Sequence, residues 1–145
     1  MRKLRILKLL TWYKELQEEK VKVRIYQAKI GLEKLLLEKK LLEEEYNDSF
    51  RYLQETKIFS ADELKAWFNY FEVLKEFKEI AEKKIETQQK YLEDLRKDLL
   101  QKNREKRLME RLYQRTLLKF NRDAYRRFLR DLDDLILLRR GRGLD

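Results

Sequence analysis

Cysteine, histidine and proline do not occur in this chain of 145 residues, and glycine occurs three times. Lack of Cys and His excludes disulfides, thiolate chemistry, zinc sites of the usual ligand types and any His-based triad. Lack of Pro, with Gly141 and Gly143 confined to the very end, leaves only Gly31 and local turn chemistry to interrupt a long helix. Gly31 stands alone between Ile30 and Leu32, so there is no glycine-rich phosphate loop and no expected nucleotide hydrolysis by this chain itself. Its carboxylates are spread over helical surfaces, where a solvated face is the plainer reading than a catalytic dyad, and no cofactor is expected. Nowhere do about 20 apolar residues run together, so no membrane span is expected. The basic and apolar start is cut by Lys8 and has no small-residue cleavage site after it, which reads as a cytoplasmic protein rather than a secreted one.

What is present is charge. Charged residues make up 43% of the chain, well above the usual share of about a quarter, and the net charge is +9. That much charge suits an elongated helical protein with a large surface per residue. The charges are also segregated: residues 1–29 carry net +6, residues 30–95 net −5 and residues 96–145 net +8. Folding the chain back once near its middle would bring the two basic stretches together, giving a polar rod with one cationic tip.

Apolar residues follow a heptad. From Val21 the seam runs Ile25, Ala28, Leu32, Leu35, Lys39, Leu42, Tyr46, Ser49 and Leu53, in steps of four and three. The pattern breaks between Lys57 and Asp62, where Ser60-Ala61-Asp62-Glu63 reads as a capping box that starts a new helix near Ala61, with Phe59 placed to staple onto Leu64. A second seam follows in Leu74, Ala81, Ile85, Gln88, Leu92, Leu95 and Leu99, with Lys78 as a polar exception; Glu79/Lys83, Glu86/Lys90 and Glu93/Lys97 form i,i+4 pairs outside it. The expected fold is therefore all-α: two long helices, about 3–57 and 61–138, in one antiparallel coiled-coil domain with a bend at 58–60 and a flexible tail at 139–145. Past Leu99 the register slips through Lys102 and Lys106. It then widens into Leu117, Leu118, Phe120, Ala124, Tyr125, Phe128, Leu129, Leu132, Leu135, Ile136 and Leu138. Such a stripe needs a third helix, an incoming partner, or Leu4, Ile6, Leu7, Leu9, Leu10 and Trp12 folded across it; the last is the plainest expectation. The second helix outruns the first, so part of its end should project unpaired.

Two surfaces could recognise a partner. The basic end gathers Arg2, Lys3, Arg5 and Lys8 with Arg104, Lys106, Arg107, Arg111, Arg115, Lys119, Arg122, Arg126, Arg127 and Arg130, a cluster suited to nucleic acid, anionic lipid or an acidic protein surface. Interleaved acids make a plain solubilising face the competing reading. Trp67, Phe68, Tyr70, Phe71 and Phe77 crowd one helix stretch with more aromatic area than a seam can hide, unless Phe50, Tyr52 and Phe59 cover them at the bend. Arg139-Arg140-Gly141-Arg142-Gly143 reads as a frayed terminus.

Three segments in order, Leu4-Arg5-Ile6-Leu7-Lys8-Leu9-Leu10, Trp67-Phe68-Asn69-Tyr70 and Asp131-Leu132-Asp133-Asp134-Leu135-Ile136-Leu137-Leu138-Arg139-Arg140, make the chain resemble the FliJ family of flagellar type III export proteins over essentially its whole length. The resemblance implies an antiparallel two-helix coiled coil like the gamma-subunit stalk of rotary ATPases. It implies a non-enzymatic, cytoplasmic protein, peripheral to the inner membrane at the flagellar base. Implied partners are the hexameric export ATPase, which it would enter and activate, the cytoplasmic domain of the membrane export gate, and export chaperones. Carried over residue by residue, gate binding falls on Val73, Phe77, Ile80 and Lys84, with Ile80 where the family has a small residue and Lys84 in place of a polar ring. The seat in the ATPase ring falls to the basic end, on Arg104, Arg107, Arg111, Arg115, Arg122 and Arg126. Two other readings stand beside it: the equivalent stalk of a virulence injectisome, and a nucleic-acid-binding hairpin. Against the latter, the aromatic residues lie in the acidic middle, away from the basic end where base stacking would need them, so no nucleic acid is expected.

Overall fold

The computed structural model describes residues 2–143, and side chains as far as Arg142. It contains two helices, α1 (Arg2–Glu55, 54 residues) and α2 (Ala61–Gly143, 83 residues), which pack against each other as an all-α antiparallel hairpin. Ser60 caps α2 as expected, but only one half of the capping box is formed: the Glu63 amide donates to Ser60 Oγ at 3.1 Å, while Asp62 and Glu63 place negative charge at the positive end of the helix. At the other side of the connection, Thr56 closes α1 by donating both its amide (3.1 Å) and its hydroxyl (2.9 Å) to the Tyr52 carbonyl. The expected bend at 58–60 thus begins two residues earlier. The tail expected from Arg139 is helical through Gly143, because neither Pro nor a left-handed glycine stops α2 there, and Arg140 and Arg142 complement its negative end; Leu144 and Asp145 lie outside the described residues.

Contacts divide the hairpin into two units where the sequence suggests one domain: Lys20–Leu99, and Met1–Glu19 together with Leu100–Asp145. The first holds the apolar seam. Val21, Ile25 and Ala28 of α1 are buried against Leu92 and Leu95 of α2, with Leu32 and Leu99 packed on them. The polar seam positions are accommodated by reaching across. Lys39 pairs with Glu82 at 3.6 Å and Lys78 with Glu43 at 3.5 Å, each burying its alkyl stem along the seam while its ammonium meets a carboxylate of the facing helix.

Gln88 solves the same problem differently. Its Nε2 donates to the Ala28 carbonyl at 3.1 Å, and it passes over Gly31, where an added Cβ would lie 3.1 Å from that nitrogen. Gly31 therefore makes room for the amide at a cost in helix propensity of about 1 kcal/mol relative to Ala. Gly31→Ala alone is expected to leave thermal stability nearly unchanged, because the propensity gain is offset by disturbance of the Gln88 bond. In a Gln88→Ala background the same substitution should stabilise by about 1 kcal/mol. Equal gains in both backgrounds, measured by thermal denaturation, would show that Gly31 has no such role.

The second unit has a polar seam. Leu4, Leu7, Thr11, Lys14 and Glu18 of α1 are the shielded positions there, facing Lys102, Lys106, Met109, Tyr113 and Thr116 of α2. The expected slip of register at Lys102 and Lys106 is thus not found. Steps of three and four continue without interruption from Leu99; only the chemistry changes. Thr11 and Thr116 satisfy their hydroxyls on their own helix, donating to the Leu7 (2.9 Å) and Leu112 (2.8 Å) carbonyls. Glu18, only 4% exposed, accepts from Lys106 at 3.0 Å and from Asn103 at 3.5 Å. Lys14 donates to Glu105 at 3.0 Å, which holds the Glu105 carboxyl below its usual range.

Candidate docking surfaces

Within the Lys20–Leu99 unit, the rings near the connection are partly consumed by packing. Trp67 meets Tyr52 at 5.7 Å, and Phe71 meets Tyr46 at 5.3 Å and Phe50 at 6.1 Å, edge to face. Tyr46 joins Phe50 and Tyr52 in this cover, whereas Phe59, half-buried, makes none of these ring contacts. Tyr70 donates its hydroxyl to Glu45 Oε1 at 2.6 Å, and that bond to a carboxylate raises the phenol above its ordinary pKa. Phe68 and Phe77 remain exposed.

Val73, Phe77, Ile80 and Lys84 share one row of α2 beside the seam, at spacings of four, three and four. All four are exposed; Phe77 and Ile80 show about half of their surface, 52% and 50%. Phe77, Ile80 and Lys84 do not stand alone. Together with Ala81 they form one wall of a groove of about 420 Å³ whose other wall is Glu38, Leu41 and Leu42 of α1. Ile80 and Lys84 also border a neighbouring groove with Leu35, Lys83, Thr87 and Gln88. Val73 borders neither groove. The α1 wall is absent from the sequence reading, although a signal for it existed: Leu36, Leu37 and Leu41 exceed what the Leu35 and Leu42 seam positions need, and the structure leaves them exposed.

The other unit carries the arginines. Arg104, Arg107, Arg111, Arg115, Arg122 and Arg126 are all exposed and follow one another at spacings of three, four, four, seven and four. At about 100° per residue these positions share one face of α2, turned away from the side that packs on α1. Lys119 joins them, and a shallow cleft is lined by Arg115, Leu118, Lys119, Arg122, Asp123 and Arg126. Lys106 does not belong to this row; it points into the seam toward Glu18.

The N-terminal apolar residues behave differently from expectation. Leu4 and Leu7 enter the seam, whereas Ile6, Leu9, Leu10 and Trp12 are exposed. They do not cover the distal stripe. The register set by Lys14 opposite Glu105 brings Arg2 level with about Leu117, so α1 ends before that stripe begins. From Leu118 onward its large apolar residues are exposed.

No helix among the described residues is long and apolar enough to cross a membrane. Compared with known proteins, the chain matches no family model, no curated protein and no solved structure. Fold and surfaces together define an all-α helical hairpin that presents an apolar groove and a separate row of arginines.

Proposed function

We propose that this protein is a non-enzymatic stalk of flagellar type III export: it binds and activates the hexameric export ATPase and links it to the membrane export gate and to export chaperones. The observation that carries this reading is the division of two chemically different surfaces between two units of one hairpin. The apolar groove at Phe77, Ile80 and Lys84 lies in the Lys20–Leu99 unit, and the row Arg104, Arg107, Arg111, Arg115, Arg122 and Arg126 lies in the other. A linker between two partners needs separate faces for them. The groove suits an apolar segment of the gate's cytoplasmic domain, and the guanidinium row suits carboxylates lining the ring, which arginine can engage with two donors at once. Activation would be mechanical: a helix pair seated in the ring biases subunit conformations through differential contacts and performs no bond chemistry.

The protein would act in the cytoplasm, peripheral to the inner membrane at the flagellar base. Adding the purified chain to the export ATPase is expected to raise hydrolysis and promote hexamer assembly. Charge reversal at Arg111, Arg115 and Arg122 should remove that stimulation. Phe77→Ala or Leu41→Ala should instead weaken gate binding about tenfold, as loss of one apolar anchor does, while leaving stimulation intact. Absence of stimulation at every protein ratio would refute the stalk reading.

A further inference from the structure

The distal segment of α2 has no partner among the described residues, and its pattern specifies one. Tyr125, Leu129, Leu132 and Ile136 recur at steps of four, three and four on one face, with Phe128 and Leu135 along one edge of it and Arg126 and Asp133 along the other. All six apolar side chains are exposed, from 39% at Leu129 to 63% at Tyr125 and Leu135. This face is not a continuation of the seam. Carried forward from Tyr113 and Thr116, the seam positions are Phe120, Asp123, Arg127, Arg130 and Asp134, almost wholly charged. The apolar face is offset from them by two residues, roughly half a turn. It is therefore built for a helix on the side of α2 away from α1.

The segment is also its own complement when reversed. About a point between Arg130 and Asp131, Tyr125 mirrors Ile136 and Leu129 mirrors Leu132. Arg126, Arg127 and Arg130 precede that point; Asp131, Asp133 and Asp134 follow it. We infer that two copies of this chain pair through residues 124–137 of α2 as an antiparallel, two-fold symmetric helix pair. Around one axis, each copy's Tyr125 and Leu129 pack on Ile136 and Leu132 of the other. Phe128 meets Leu135 along the apolar edge. Arg126 meets Asp133 along the charged edge, and symmetry makes that pair twice; a parallel arrangement would lose it. Arg127 and Arg130 lie nearer to the opposing aspartates than to the opposing arginines, so the charges farther round each helix also favour this orientation.

Extent and strength follow from the same pattern. Arg122 comes level with Arg139, so like charges close the contact at both ends. Six half-exposed apolar side chains per copy can bury roughly 1,200 Å² in total, the lower end for a specific interface, which points to a reversible dimer in the micromolar range. This inference does not rest on the export reading. If both hold, pairing hides Arg126, and a dimer would not occupy the ring.

Sedimentation velocity of the full chain over a wide concentration range, without any other protein, tests it. A monomer–dimer equilibrium is expected. Arg126→Asp and Asp133→Arg should each weaken it about tenfold, since each replaces two attractive pairs by two repulsive ones. An equimolar mixture of the two variants should restore association, because one copy is then acidic at both positions and the other basic at both. Leu129→Asp should abolish it with helicity by circular dichroism unchanged, because Leu129 supports nothing within the chain. A monomer at all concentrations would overturn the inference. So would a dimer indifferent to all three substitutions, which must use another face, or a mixture that associates no better than its components.

Discussion

Lys106→Ala is expected to destabilise the hairpin by about 2–3 kcal/mol, and the double replacement Glu18→Leu with Lys106→Leu to leave it at least as stable as the native chain. Glu18 is buried, and its carboxylate is held by Lys106 at 3.0 Å. Removing the ammonium takes away the 3.0 Å cationic partner of a carboxylate that stays buried in the seam, where Asn103 also donates to it at 3.5 Å. Removing both charges and filling the space with leucines substitutes ordinary seam packing for a pair whose desolvation offsets most of its attraction. The surroundings favour the second outcome, because the Gln17 side-chain carbonyl in this layer is buried without a hydrogen-bond partner, so the polar network is incompletely satisfied. Thermal and urea denaturation of the single and double variants separates the two effects. A double variant less stable than the native chain would mean that the polar layer is a net source of stability.

Leu92→Ala should cost about 2–4 kcal/mol, the range for truncating a buried leucine. Leu92 is 5% exposed and lies among Val21, Ile25, Ala28 and Leu95, where the two backbones are already held together by the seam on either side and cannot collapse onto the vacated space. Leu132→Ala, on the same helix but 41% exposed, should change stability by less than about 0.5 kcal/mol. Urea denaturation followed by far-UV circular dichroism, at a protein concentration where the chain is monomeric, gives both values under one condition. Similar losses at the two positions would show that the distal part of α2 is supported by contacts within the chain, against the structure.

The outline of the fold was legible in the residues because a heptad constrains few things and repeats them. Val21 to Leu53 and Leu74 to Leu99 each mark one side of a helix, and Ser60 to Glu63 marks the place where the second begins; each of these features works through local geometry that a linear pattern expresses. The continuation through Lys14, Glu18, Lys102 and Lys106 was not legible. A charged residue at a seam position looks like an interruption until its opposite number across the interface is known, and Lys106 looked like a surface cation for the same reason. The groove illustrates a similar limit. Phe77, Ile80 and Lys84 stand out on one helix, but Glu38, Leu41 and Leu42 belong with them only once the hairpin has closed.

By itself, then, the order of residues determined an all-α hairpin, its turn, and the segregation of arginines from aromatic residues, since helical periodicity, capping and charge depend on neighbours in the chain. Tertiary structure alone decided which apolar residues are satisfied. Leu7 is buried, while Leu9 and Leu10, close by, are exposed. Among the described residues the distal stripe is left open, since the register of the hairpin sets Arg2 level with about Leu117, and that register is encoded by neither helix on its own.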